Sequence, residues 1–457
     1  MLNFVVIMAD TFRWDHISGL CPASQLETPF LERLSKKCVT FDDAFSGSIP
    51  TLPNRTDLFT GKFRCMEGEW GPLDREVPTL AQLMTQAGCR TQLITNTPHL
   101  MGKGNYYQRG FQFAEWIRNN EEDRAFCPGN AVQPPPERRQ PEEKTRHTYP
   151  IPGWNVSTLC EWMHGRYQWE EDLLPAQTAR SASKWLEWNY ADGPFFLWVE
   201  FFDPHEPWNV PQYLAKRFDP GYKGIPMIHP SYGFADVFTK RELFNLHAHY
   251  KAEATLVDKW IGHVLQKIED LGLMNNTVIV FTSDHGIYIG EHNRTGKDNH
   301  FDPDPRHWPV YEEVAKIPLA IYHPKAQGAR HVRGFAQPVD LTATLLEFAK
   351  AKRPAGLQGI SLAPVVLGKA RRGPRRFAIV SRWPENAALF TGQWLFQPYG
   401  EERKPALFDR KADPLAKKNL YSKNKAVARE LHQTMIRFYK EHGAKREILS
   451  VVESARV

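Results

Sequence analysis

The chain has 457 residues, 42% of them hydrophobic, with 14 Trp and 27 Phe, which supplies one large core and a smaller one and excludes a disordered or low-complexity chain. Its net charge of +6 is mild for this length and forms no concentrated basic stripe, so an anionic substrate is compatible and a nucleic-acid polymer is not expected. No apolar run reaches the roughly eighteen residues a membrane helix needs, so no membrane partner is expected either.

The opening MLNFVVIMAD has a short apolar run with no basic segment before it and no small-residue cleavage site after it. It reads as a buried strand over 4–8, and the lack of an export signal points to the cytoplasm. Cys21, Cys38, Cys65, Cys89, Cys127 and Cys160 form no CxxC pair and read as reduced packing residues. Further along, 28–37 and 79–87 carry apolar residues at helical spacing, 92–95 and 195–201 are strand-like, 247–271 is helical, and 277–282 and 317–322 are again strand-like. Nearly continuous apolar strands alternating with helices predict an α/β sandwich with a parallel sheet buried on both faces.

Residues 128–153 are rich in Pro and charge and read as an inserted surface loop, either a tolerated excursion or a lid or homo-oligomer contact. After about 370 the texture changes to short antiparallel strands, RRFAIVSR, AALFTGQWLFQPY and PALFDRK, followed by an amphipathic helix near 424–441. The expected organisation is a catalytic domain over 1–370 and a small α+β subdomain over 371–457.

Three segments carry chemistry. Asp10 stands at the carboxyl end of the first strand, where ligands collect in open parallel sheets, so it is a candidate metal ligand, with a helix cap as the alternative. Thr51 is followed four residues later by Arg55, which puts a hydroxyl and a guanidinium on one side of a helix N-terminus able to hold a tetrahedral oxyanion; an ordinary cap with a surface Arg is the alternative. Asp284 and His285 follow the strand TVIVF, where a carboxylate and an imidazole can share one divalent cation. A metal-free turn is the alternative there.

Taken together, MAD, TPFLERL, TLPNRTDLFTGK, FFDPHEPW, SDHGIYIGEH, TGK, YEEVAKIPLAIYHP and QPVDLTATLLEFA resemble the sulfatase family of the alkaline phosphatase superfamily in the family's own order. The resemblance implies a three-layer α/β sandwich with a mainly parallel central sheet, a small antiparallel sheet at the C-terminus and a metal-assisted nucleophile. Sulfatases carry Cys or Ser, matured to formylglycine, where this chain has Thr51, and threonine cannot be oxidised to that aldehyde. The second Asp of the usual N-terminal pair is Thr11, and the Asn after the late Asp is His285, which favours Mn²⁺ or Zn²⁺ over Ca²⁺. Asn96 stands where a sulfate-contacting Lys is usual and resembles phosphonate monoester hydrolases, and the T-x-P-N segment resembles nucleotide phosphodiesterases. The D-x-x-x-H pair of the latter is replaced by Asp203-Pro204-His205, which leaves one firm metal site and a second one open.

The resemblance implies that Asp10, Asp284 and His285 hold a cation that also binds and activates Thr51, while Arg55 orients the nonbridging oxygens. His205 and Lys297 would serve the leaving group, with His307 as the rival to Lys297, and Asn96 and His99 would donate hydrogen bonds to the phosphoryl group. His292 and His300 read as spectators, either of which could join Asp203 at a second metal. A phosphothreonine is hydrolysed more readily than a sulfated threonine, so the expectation is a phosphodiesterase or phosphonate monoesterase. The alternatives are a sulfatase using threonine directly, a phosphomonoesterase, a phosphoryl transferase and a non-catalytic binding protein.

Overall fold

A computed structural model describes residues 2–68, 70–119, 139–145, 155–165, 167–298, 308–326 and 328–457. Its central sheet has eight strands: β1 (Asn3–Ala9), β2 (Val39–Ala44), β3 (Arg90–Thr95), β4 (Phe113–Trp116), β5 (Phe195–Phe201), then β7 (Thr277–Thr282), β10 (Leu319–Tyr322) and β11 (Arg330–Ala336). Their spatial order is β11-β2-β10-β7-β1-β5-β3-β4. Every neighbouring pair is parallel except those of β10, which runs antiparallel to both β2 and β7. The strand expected over 317–322 is therefore present but reversed.

β1 shows why the sheet lies in the middle. All seven of its residues are buried, and alternation sends Val5, Ile7 and Ala9 into one core while Phe4, Val6 and Met8 enter another. The first core is closed by helices Pro29–Ser35, Leu174–Asn189 and Lys240–Asp270. Helices Thr51–Thr60, Leu80–Gln86 and Pro338–Phe348 close the second. The long helix starts at a capping box between Thr239 and Glu242, and one stripe of it, including Leu246, Tyr250, Val257, Ile261 and Val264, is buried, as amphipathic spacing requires.

The apolar-run criterion passes over β2, β4 and β11. β4 and β11 are the sheet's edges and β2 is next to one of them, so they carry residues such as Asp42, Asp43, Glu115, Arg330 and Arg333 that a strand covered on both faces could not bury.

Two smaller sheets complete the fold. β6 (Gly233–Phe234), β8 (Tyr288–Ile289) and β9 (Arg294–Gly296) form a three-stranded ribbon. In the C-terminal part, β12 (Phe377–Val380), β13 (Ala388–Thr391), β14 (Trp394–Gln397) and β15 (Ala406–Asp409) form an antiparallel sheet. One of its faces packs on helix Lys425–Glu441 and the other on Phe45, Tyr288, Tyr311 and Phe335. Just past β12, Ser381 brackets the approach to Thr51: Ile49 N donates to its carbonyl at 3.1 Å, and its own N–H reaches Gly47 O at 3.0 Å.

Most of the 128–153 stretch lies outside the described residues. Its described portion is docked: Gln140 is buried and its Oε1 accepts from Ile228 N at 2.9 Å and His229 N at 3.0 Å, while Lys144 pairs with Glu242 at 2.8 Å. Cys21, Cys38, Cys65 and Cys89 are buried thiols outside any disulfide; Cys127 lies outside the described residues.

Candidate active site

Strands β7, β1, β5 and β3 are consecutive neighbours and parallel, so their carboxyl ends open at one edge of the sheet. Each is followed there by polar residues: Ser283, Asp284 and His285 after β7, Asp10 and Thr11 after β1, Asp203 and His205 after β5, and Asn96 and His99 after β3. Backbone bonds lock the rows together, Asp10 N to Phe201 O at 2.9 Å and Asn96 N to Glu200 O at 3.3 Å.

Asp10, Asp284 and His285 are fully buried and bring ligand-type atoms within 4.8 Å of one another, the one such group of three among the described residues. His285 Nδ1 is 2.9 Å from Gly286 O, a carbonyl that can only accept, so Nδ1 carries the proton and Nε2 presents a lone pair. That Nε2 has no hydrogen-bond partner and lies 3.2 Å from Asp284 Oδ2. The Asp284 oxygen already accepts from Arg55 Nη1, so the imidazole nitrogen is the orphan acceptor; buried without a donor it is unfavourable unless something binds it, and the donor set of two carboxylates and one imidazole suits a divalent metal. Burial pushes His285 down to about 4, partly offset by Asp284, and keeps the imidazole in its ligating neutral form. Asp10 is raised by burial and by the neighbouring Asp284, whereas Asp284, despite its own burial, is held low by Arg55 and His285.

Thr11, the residue in place of a second Asp, has φ of +60°, rare for a β-branched residue. The site holds it there: its N–H donates to Asp284 Oδ1 at 2.9 Å, its carbonyl accepts from Tyr250 Oη at 3.0 Å, and its hydroxyl donates to Asp10 Oδ1 at 2.7 Å.

Thr51 is buried and begins helix Thr51–Thr60, whose Asn54 and Arg55 reach the cluster. Asn54 Nδ2 donates to the Asp284 carbonyl at 3.0 Å. Arg55 makes four hydrogen bonds to three buried carboxylates, Nε and Nη2 to Glu200 at 3.0 and 2.9 Å, Nη2 to Asp10 at 3.0 Å and Nη1 to Asp284. Only one of its five donors is left for another acceptor. The other four hold Asp10, Asp284 and Glu200, so Arg55 positions both aspartates.

Asn96 is also largely engaged: Nδ2 donates to Asp203 Oδ2 at 2.7 Å and Oδ1 accepts from Phe202 N at 2.6 Å. His99 lies in edge contact with the rings of Trp70 and Phe202, 5.1 and 5.7 Å away. His205 stacks on Phe202 at 4.0 Å with Nδ1 2.7 Å from Glu206 O. Lys297 Nζ reaches Thr11 Oγ1 at 3.2 Å.

The suggested second metal is not assembled among the described residues. His292 is stacked on Tyr311 at 3.6 Å and faces Glu313 at 3.4 Å, so the packing of the β8–β9 turn takes it away from Asp203. His300 and His307 lie outside the described residues.

Two carboxylates were not singled out from sequence. Glu200 is the one charged residue in the strand FFLWVEF, and a carboxylate in a fully buried strand needs a buried cation, here Arg55. Glu206, inside FFDPHEPW, is fully buried and accepts a hydrogen bond from Tyr232 Oη. Burial raises its carboxyl, but His205, Lys297, His229 and the Tyr232 bond hold it below the usual range.

No described helix is long and apolar enough to cross a membrane. Residues 2–351 match the sulfatase family, and residues 299–441 match the family described as N-sulphoglucosamine sulphohydrolase, C-terminal. The chain is 23% identical over 456 residues to arylsulfatase K of Xenopus laevis, covering 90% of this chain and 77% of that one. It is 26% identical over 407 residues to an arylsulfatase of Clostridium perfringens, covering 80% and 78%. The phosphonate monoester hydrolase of Agrobacterium radiobacter has the same fold, with a TM-score of 0.73 at 20% identity over 97% of this chain and 96% of that one. The match over residues 2–351, joined to this arrangement of sheet and cluster, shows that the chain belongs to the sulfatase family of hydrolases, within the alkaline phosphatase-like superfamily.

Proposed function

We propose that the protein hydrolyses sulfate esters, with Thr51 as the attacking group in place of formylglycine. The observation that carries this reading is the unpartnered Nε2 of His285 beside Asp284 and Asp10, at the foot of the helix that Thr51 begins. Membership of the sulfatase family and the arylsulfatase names of its relatives favour sulfate over phosphate as the transferred group.

Asp10, Asp284 and His285 are the residues that would hold a divalent cation, with imidazole favouring Mn²⁺ or Zn²⁺, and a cation there supplies Lewis-acid polarisation of the reacting oxygens. Arg55 fixes both aspartates through its charged hydrogen bonds. In the first half-reaction Thr51 Oγ forms a bond to sulfur as the bond from sulfur to the ester oxygen breaks, giving a sulfated threonine and the free alcohol. The hydroxyl proton lost by Thr51 is balanced by the proton gained by the alcohol, with Lys297 and His205 stabilising the departing oxygen. Water then attacks sulfur, releasing hydrogen sulfate and restoring the hydroxyl.

A second reading, hydrolysis of phosphate diesters or phosphonate monoesters, draws on Thr51 itself, because attack of water on a phosphorylated threonine is the easier second step. The test is turnover by the purified chain, supplied with Mn²⁺ or Zn²⁺, of 4-nitrophenyl sulfate, bis(4-nitrophenyl) phosphate and 4-nitrophenyl phenylphosphonate. The sulfate is expected to have the highest kcat/KM. A higher value for either phosphorus ester would install the second reading, and no turnover of any with metal bound would remove both.

A further inference from the structure

We propose that Glu206 restricts the site to monoanionic esters by keeping a second negative charge out of the side of the pocket that Lys297 serves. This deepens the proposed ester hydrolysis and rests on it for the position of the substrate.

Glu206 is fully buried, with Oε1 3.6 Å from Lys297 Nζ and 3.6 Å from His205 Nε2. The same oxygen accepts the hydrogen bond from Tyr232 Oη, whereas Oε2 has no hydrogen-bond partner among the described residues. Lys297 Nζ contacts Thr11 Oγ1 at 3.2 Å, and that hydroxyl donates to the candidate ligand Asp10 at 2.7 Å. One lysine head group therefore separates Glu206 from the ligand cluster.

The balance of fixed charge gives this carboxylate its effect. Histidines aside, the ion pairs that run through the cluster join two cations, Arg55 and Lys297, to four carboxylates, Asp10, Asp284, Glu200 and Glu206. With all six charged and a divalent cation in the cluster, the set is neutral. A sulfate ester, a phosphate diester and a phosphonate monoester each add one negative charge to that neutral set, whereas a phosphate monoester above its second ionisation adds two. The extra charge meets a carboxylate whose Oε2 receives no hydrogen bond from the described residues to offset its charge. At an effective dielectric constant of about 20 and a separation of roughly 6–8 Å, one such repulsion corresponds to a 30- to 100-fold discrimination. A carboxylate whose charge is fully cancelled by Lys297 and Tyr232 would leave the preference between the two classes of ester unchanged when it is neutralised.

The test compares the full-length protein with Glu206→Gln and Glu206→Asp, each shown by thermal melting to be folded and loaded with Mn²⁺. Binding of methyl sulfate, a monoanion, and methyl phosphate, a dianion at about pH 8, is measured by calorimetry. The expected result is that wild type and Glu206→Asp prefer methyl sulfate, and that Glu206→Gln shifts the ratio toward methyl phosphate on the order of 30-fold. An unchanged ratio in Glu206→Gln, equal loss of both ligands in Glu206→Gln and Glu206→Asp, or no binding by wild type would each overturn the proposal. A shifted ratio in a protein that turns over no ester would sustain the role of Glu206 while removing the proposed hydrolysis.

Discussion

Lys297 Nζ lies 3.2 Å from Thr11 Oγ1, joining the loop after β9 to the loop after β1 across 286 positions of sequence. Because the Thr11 hydroxyl donates its proton to Asp10, it can only accept from Lys297. The cation expected at the leaving group and a candidate metal ligand thus share one hydroxyl, and the strained backbone of Thr11 keeps it in place.

Thr51→Ala is expected to lower kcat on the order of a thousandfold or more while leaving calorimetric metal affinity unchanged, since Asp10, Asp284 and His285 remain. Loss of the buried hydroxyl and methyl should cost about 1 kcal/mol of stability, because alanine suits a first helical turn. Thr51→Ser should keep most of the activity. Equal rates for Thr51→Ala and wild type would show that another group attacks.

His285→Ala and Asp284→Asn should both weaken Mn²⁺ or Zn²⁺ binding at least on the order of a hundredfold, and should differ in stability. Asp284 also pairs with Arg55 in a fully buried network, so its neutralisation is expected to cost about 3 kcal/mol more than the loss of an imidazole whose Nε2 has no protein partner. Metal titration and urea unfolding of the two variants check this; unaltered metal affinity in either would remove it from the ligand set.

Acid stability is expected to depend on a pair of histidines behind the site. His16 Nε2 and His247 Nε2 are 2.9 Å apart, so one donates and the other accepts. Burial lowers His16, against the pull of Asp15, and burial together with its neighbours His16 and Arg13 pushes His247 down to about 2. Both rings take up protons less readily in the folded chain than in the unfolded one, so their contribution is complete above about pH 6.5 and is lost as the pH falls. His247→Phe should flatten the fall in urea midpoint between about pH 6.5 and 4.5. An unchanged slope would show that these rings do not set it.

Gly286→Ala tests the turn that presents His285. A Cβ at this position would collide with the Glu313 carbonyl, and the Gly286 N–H is tied to Val314 O at 2.9 Å, so the turn cannot move aside freely. The expected result is a loss of roughly 2 kcal/mol or more together with weaker metal binding. Full metal affinity with unchanged melting would show the turn to be more yielding than its packing indicates.

What the sequence by itself determined are the features written in local pattern. The strands β1, β5 and β7 are continuous apolar runs because both faces of the sheet are covered, and Asp10, Asp284 and His285 are legible because each follows such a strand at its carboxyl end. Thr51 and Arg55 are legible as one helical turn. Only the tertiary structure decided the partners. Glu200, Asp10 and Asp284 converge on Arg55 from three strands, and Glu206 meets Lys297 across 91 positions, because neighbours in a parallel sheet are far apart in the chain. The edge strands β4 and β11, the reversal of β10 and the separation of His292 from Asp203 were likewise settled by packing. Periodicity reports whether a residue is covered; it carries no record of which distant side chain covers it, and the charge of this site is made by those distant pairs.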